Sequence, residues 1–282
     1  KNRKVIFLFP VATLSIVSFD LFRFGTKFTP FTSQEYLFPQ TQTINFLKEK
    51  EKEEGPFRLM TTDEKILPPN FSVIYKLQTI DGYDPLYIQR YAELIAAMER
   101  GEPNIIPPFG FNRIITPVRY ESKIIDLLGV KYVLSLSDIS SPKLKKVFQE
   151  GETQVYENQR VLPRTFFVEQ INWMYKKEDV MKKIFSDDFD PKKEAIIENA
   201  MTFHPEPGVI GNAHVVEYSE NTVTIKTENE GDGLLVLTDT YYPRWKAMID
   251  GSMAQIYRVD YNFRGVFVPK GEHTVEFYIT VL

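Results

Sequence analysis

Trp245-Lys246-Ala247-Met248-Ile249-Asp250-Gly251-Ser252-Met253-Ala254 is the stretch on which the reading of the second half of the chain turns. An Asp-Gly pair between two strand-like runs predicts a two-residue hairpin, because both turn positions take positive φ. Strand signals recur outward from it at residues 213–218, 222–227, 234–239, 245–249, 254–259, 263–268 and 272–279. Ser219-Glu220-Asn221, Gly231-Asp232-Gly233 and Pro269-Lys270-Gly271 supply further turns. Such regular spacing predicts a small antiparallel β-sandwich. It is expected over residues 206–282, after the break Pro205-Glu206-Pro207-Gly208.

Residues 25–205 mix helical and strand signals with short connections. Residues 41–54 read as a helix stopped by Gly55-Pro56, with a strand at 57–60 after it. Lys48-Glu49-Lys50-Glu51-Lys52-Glu53-Glu54 reads as a solvated face of that helix. Asp84-Pro85 predicts a helix start, and Tyr87, Tyr91, Leu94, Ile95 and Met98 share one face up to Gly101. A short helix at 122–128, closed by Gly129, leads into a strand at 130–134. Ser141-Pro142 predicts a helix to about Gln149, strands follow at 153–156 and 165–168, and Asp190-Pro191 predicts a last short helix. The expected fold class is α+β: a mixed α/β N-terminal subdomain followed by a C-terminal antiparallel β-sandwich.

Ahead of this the chain opens Lys1-Asn2-Arg3-Lys4 and carries no charge over residues 5–19. Extended through Leu21 and Phe22, with Asp20 the one charge, the run approaches the roughly 20 apolar residues that a membrane helix needs. Pro10 is tolerated there more readily than in a soluble helix. A signal peptide and a buried core helix are the competing readings. The favoured one is the outer part of a membrane helix, residues 1–24, in a larger polytopic protein. Its basic end is then cytoplasmic and the chain after Asp20 emerges outside. The last strand running to Thr280-Val281-Leu282 reads as a cut end.

Composition excludes several functions. With 38 acidic and 34 basic groups among 282 residues, the net charge of −4 argues against a nucleic-acid binder. Zero cysteines exclude a thiol nucleophile, a disulfide framework and thiolate metal sites. His204, His214 and His273 are too widely spaced for ligands on one helix face. No Walker loop, dinucleotide fingerprint or nucleophile elbow is present. No catalytic residue, metal or cofactor is therefore expected on this chain. Asp187, Asp188 and Asp190 read as a loop with a cap. His273 reads as a satisfied inward or edge histidine.

Tyr241-Tyr242-Pro243-Arg244-Trp245 offers more. Sugars present C–H faces that stack on aromatic rings, while a neighbouring Arg or Asp binds hydroxyls. The alternative is that Trp245 and one tyrosine fill the sandwich core. Tyr241, Tyr242, Arg244 and Trp245 are the first candidate glycan contacts. Asp81 and Tyr83, from the loop Asp81-Gly82-Tyr83-Asp84, come second.

The same stretch carries a resemblance. Asp239-Thr240-Tyr241-Tyr242-Pro243-Arg244-Trp245-Lys246-Ala247, then Ile249-Asp250-Gly251, resembles the YfhO-type bacterial membrane proteins. So do Phe263-Arg264-Gly265-Val266 and residues 269–277, with Ile80-Asp81-Gly82-Tyr83-Asp84-Pro85, Leu127-Leu128-Gly129-Val130-Lys131-Tyr132-Val133 and Leu162-Pro163-Arg164 upstream. The resemblance implies a polytopic membrane protein, similar to glycosyltransferases that take sugars from polyprenyl-phosphate carriers and modify cell-envelope polymers. It implies that this segment is a non-catalytic domain on the extracytoplasmic side of the cell membrane. Its expected partners are the membrane portion of the same polypeptide and a cell-envelope glycan. A purely structural domain that binds no sugar is the alternative.

Overall fold

One long helix, α1 (Arg3–Phe28), precedes residue 41, followed by a short 3-10 turn at Gln34–Tyr36. Its stretch Leu8–Phe28, 21 residues with mean hydropathy 1.4, is long and apolar enough to cross a membrane. Leu14, Phe19 and Phe22 are exposed on it. The hydroxyls of Thr13 and Thr26 donate to the carbonyls of Phe9 and Phe22, each at 2.9 Å, so these polar groups are satisfied within the helix. The computed structural model describes residues 3–28, 33–198 and 211–279. It divides into two units, Lys1–Thr41 and Gln42–Leu282.

The second unit begins α2 (Gln42–Glu54), β1 (Arg58–Thr61), α3 (Phe71–Tyr75), β2 (Gln78–Thr79), β3 (Gly82–Tyr83), α4 (Gln89–Arg100), β4 (Ile114–Ile115) and α5 (Lys123–Leu127). It continues β5 (Val130–Ser135), β6 (Leu144–Glu150), β7 (Thr153–Asn158), β8 (Thr165–Phe167), β9 (Gln170–Met174), α6 (Lys177–Phe185) and β10 (Glu194–Glu198). After residue 210 come β11 (Gly211–Tyr218), β12 (Thr222–Asn229), β13 (Gly233–Thr240), β14 (Trp245–Ile249), β15 (Ser252–Ala254), β16 (Tyr257–Val259), β17 (Phe263–Val268) and β18 (Gly271–Ile279).

Three larger sheets result, ordered β2-β1-β5-β7-β6, β8-β13-β17-β16-β10-β9 and β11-β12-β18-β14-β15, beside the small pair β3-β4. The second and third make the expected sandwich. Val223, Ile225, Ala247, Val275 and Phe277 of one face meet Phe167, Leu235, Leu237, Val266 and Val268 of the other. β13 is buried on both faces, with Leu234 and Val236 packing the opposite way against Ala195, Ile197 and Val259. α4, α5 and α6 fill the core beside the first sheet through Leu94, Ile95, Met98, Ile125, Val180 and Ile184. This is the α+β fold expected from the sequence.

The Asp250-Gly251 hairpin is as predicted, with φ of 50° and 79° joining β14 to β15. The second sheet, however, takes β8, β9 and β10 from ahead of residue 205 and β13, β16 and β17 from after it. The change of composition there lies between the first and third sheets but does not divide the second, which draws strands from both sides. β9 and β10 run parallel, so of the three larger sheets only the third is wholly antiparallel among the described residues. The run 254–259 is two strands, β15 and β16, belonging to different sheets.

Three local expectations are corrected. The helix expected after Ser141-Pro142 is strand β6, because pairing with β7 through a turn at Gly151 (φ 57°) overrides local helix signals. Asp190-Pro191 opens a turn into β10 rather than a helix, and the helix of this region is α6. Asp84 does not cap α4, which starts at Gln89; its carboxylate accepts from Leu86 N at 2.7 Å within a local turn. The break Pro205-Glu206-Pro207-Gly208, His204 and the last residues 280–282 lie outside the described residues.

Candidate functional site

The three large sheets converge on a cluster of charges. Asp239, near the end of buried β13, is displaced from the regular ladder: the register runs Leu237↔Arg264 and then Thr240↔Phe263, so Thr238 and Asp239 are extra residues on that strand. A bulge of this kind re-aims side chains. A second bulge at Val216 in β11 puts Tyr218 on the inward side, and a third irregularity follows Arg58 in β1. Three breaks in regular pairing thus surround one point.

There, two guanidiniums meet one carboxylate and a third lies close by. Arg58 Nη2 donates to Asp239 Oδ1 at 2.8 Å while its Nη1 donates to Leu128 O at 2.7 Å. Arg164 Nε lies 3.0 Å from the same carboxylate oxygen. Its Nη2 donates to Gln78 Oε1 and to the hydroxyl of Tyr218, which in turn donates to Asp239 Oδ2 at 3.1 Å. Arg264 Nε donates to Thr240 O at 3.0 Å, and its guanidinium lies over the Trp245 ring. Arg264 and Asp239 are each only 5% exposed. Burial alone would raise the Asp239 carboxyl, but Arg164, Arg58 and Arg264 outweigh it and hold the group below the usual range. Burial pushes Arg58 and Arg264 down to about 10, so both stay charged at neutral pH.

Two cavities adjoin the cluster. The larger, about 800 Å³, is lined by Arg58, Gln78, Tyr218, Asp239, Trp245 and Arg264, among others. The smaller, about 280 Å³, has Arg58, Thr79, Asp81, Tyr91 and Thr240 in its wall. Arg58 and Thr240 border both.

The residues expected from sequence divide accordingly. Trp245 and Asp81 come to these neighbouring cavities. Trp245 is half-buried against the sandwich core, and so is Tyr241, whose ring is covered by Arg258 at 4.6 Å. Tyr242 and Arg244 are exposed, on the turn before β14. Asp81 is half-buried, accepts from the Thr61 hydroxyl at 3.3 Å, and is raised by burial. Tyr83 is exposed, its backbone held by Asn70. Tyr241, Tyr242, Arg244 and Tyr83 line neither cavity.

Residue-by-residue reading overlooked Arg58, Arg164, Tyr218, Asp239 and Arg264. A signal existed: Asp239 closes the apolar run Leu234-Leu235-Val236-Leu237, and a carboxylate in a buried strand requires a partner. His273 is satisfied as expected, its Nδ1 lying 2.6 Å from Asp250 Oδ2. Among the described residues, no group of three or more His, Asp or Glu is placed to hold a metal.

The comparison with known families bears on the third sheet and half of the second. Residues 210–281 match the family described as bacterial membrane protein YfhO. The resemblance read from the sequence holds over that segment. The YfhO match includes Tyr218, Asp239, Trp245 and Arg264, four residues of the larger cavity wall. Arg58 and Arg164 precede it. No curated protein and no solved structure matches the chain. The YfhO description and helix α1 together indicate a membrane-associated protein.

Proposed function

We propose that residues 42–282 form an extracytoplasmic, non-catalytic domain of a YfhO-like membrane glycosyltransferase that holds a cell-envelope glycan near the membrane. The observation that carries this reading is the larger cavity, in which two aromatic residues, Trp245 and Tyr218, stand beside Arg58, Asp239 and Gln78. Aromatic walls with a few placed polar groups suit a sugar. Holding an acceptor at a tethered domain raises its effective concentration. The outward orientation rests on the basic residues Arg3 and Lys4 ahead of the apolar run.

The test is a glycan-array measurement on the full chain in detergent, with Trp245→Phe as the comparison. Binding of a cell-envelope oligosaccharide that weakens about tenfold in the variant supports the proposal. Equal binding by both forms puts the sugar elsewhere, and binding to no glycan leaves a structural domain.

A further inference from the structure

We infer that the larger cavity is an anion site, taking a phosphate or carboxylate group between Arg58 and Arg264. The identity of the anion as part of a sugar rests on the proposed function; the site itself does not.

The argument starts from an imbalance. A cluster that only welded three sheets together would need matching charges, since an uncompensated buried charge is costly. Here Arg58 and Arg164 both pair with the carboxylate of Asp239, and Arg264, close enough to feel that charge, has no ion-pair partner among the described residues. Arg164 Nη1 and Arg264 Nη1 are buried and have no hydrogen-bond acceptor among the described residues. Native proteins rarely leave such donors unmatched without reason. Arg264 is in the cavity wall, with its unmatched Nη1 buried just behind that wall, so an anion seated against the guanidinium adds the acceptor the group lacks once the side chain adjusts toward it. A guanidinium offers a planar fork suited to two oxygens of a carboxylate or phosphate. Glu51 and Glu220 on the same wall, with Lys76, set the charge of the cleft around this pair of arginines.

The geometry also limits how a sugar would sit. Arg264 covers one side of the Trp245 ring at 3.7 Å, and the ring packs on the sandwich core. Trp245 therefore orients Arg264, acting as a positioning residue for the anion, and a sugar would meet the cleft by its charged group first.

The experiment titrates the full chain in detergent with inorganic phosphate, glucose 1-phosphate, glucuronate and glucose, with sodium chloride of equal ionic strength as the control. Thermal midpoint is one readout. The ¹⁵N side-chain resonances of the arginines are the other, and they need no variant. Phosphate is expected to raise the midpoint where chloride does not, and to shift the Arg264 resonance. Arg264→Gln is expected to weaken binding at least tenfold, with partial recovery in Arg264→Lys. Tighter binding of glucose 1-phosphate or of glucuronate identifies which anion the cleft prefers. Glucose binding as well as the charged sugars overturns the anion site and leaves the glycan reading standing. Glucose 1-phosphate binding no tighter than phosphate does the reverse. No midpoint change and unmoved resonances with every probe overturn both.

Discussion

The guanidinium of Arg264 lies 3.7 Å from the centroid of the Trp245 ring, while its Nε is fixed to Thr240 O. Residues of two different sheets, β17 and β14, are joined by this stack. A cation held on an indole face in a partly desolvated place is stabilised by about 1–2 kcal/mol. Trp245→Ala is expected to cost about 2–3 kcal/mol through the lost stack and the cavity left behind, and Trp245→Phe less than half as much. Urea unfolding followed by circular dichroism measures both.

Asp239→Asn removes the shared ion-pair partner of two buried guanidiniums, Arg58 and Arg164. The expected loss is about 3–5 kcal/mol, the usual result of removing one partner from a buried ionic group. The sign with pH follows from a carboxyl held below its ordinary value: stability is present above the unfolded pKa and is lost as pH falls through the folded one. Acid unfolding of the wild type below about pH 4 is therefore expected to be steeper than that of the variant. Unfolding midpoints from pH 7 to pH 2 provide the comparison.

Asp260 titrates the other way. It is fully buried, its Oδ1 accepts from Ile196 N at 2.7 Å, its Oδ2 has no partner, and burial raises the group to about 7. Between about pH 4 and pH 7 the folded state retains a proton that the unfolded chain has released, so stability falls as pH rises through that window. Asp260→Asn is expected to remove this slope, and asparagine accepts the positive φ of 46° at this position. Equal slopes in the two proteins, measured by urea unfolding at half-unit pH steps, refute the assignment.

His273 is raised above 6.5, chiefly by its hydrogen bond to Asp250. Its contribution is complete below the unfolded pKa and fades as pH rises through the folded one. In Asp250→Asn the imidazole is expected to titrate lower than in the wild type, with the hairpin intact because asparagine tolerates φ of 50°. Proton NMR of the ring resonances reads this directly.

Gly265 follows Arg264 in β17. A Cβ added there would meet Val259 Cγ2 at 2.5 Å and Leu234 Cδ1 at 3.0 Å. Gly265→Ala is expected to cost about 1–3 kcal/mol by overpacking, and to displace Arg264 enough to weaken any phosphate-induced rise in the thermal midpoint.

Much of this fold was legible where local signals and tertiary pairing agree. Asp250-Gly251 dictates its hairpin by conformation alone, and Gly55, Gly101 and Gly129 mark chain reversals with positive φ. Signals failed where a partner strand decided the outcome, as at β6, whose state depends on β7. The charge cluster was hidden for a related reason. Arg58, Arg164, Asp239 and Arg264 are spread over about two hundred residues of chain, and a bulge invisible to periodicity displaces Asp239 from its ladder toward the arginines. Trp245 draws notice for its ring, yet its position beneath Arg264 depends on the pairing of β14 with β18 in one sheet and of β17 with β13 in another.

The mixed parentage of the six-stranded sheet bears on dissection of the molecule. β8 is hydrogen-bonded to β13, and β10 to β16, across the stretch where composition changes. Were the peptide severed anywhere between residues 199 and 210, the two fragments would stay zipped and co-elute until denatured. Expressed by itself, the portion from 210 onward would bare the edges of β13 and β16 and strip Phe167 from its sandwich, inviting self-association. A fragment meant for binding work is best begun ahead of Arg58, so that all three sheets and the arginines travel together.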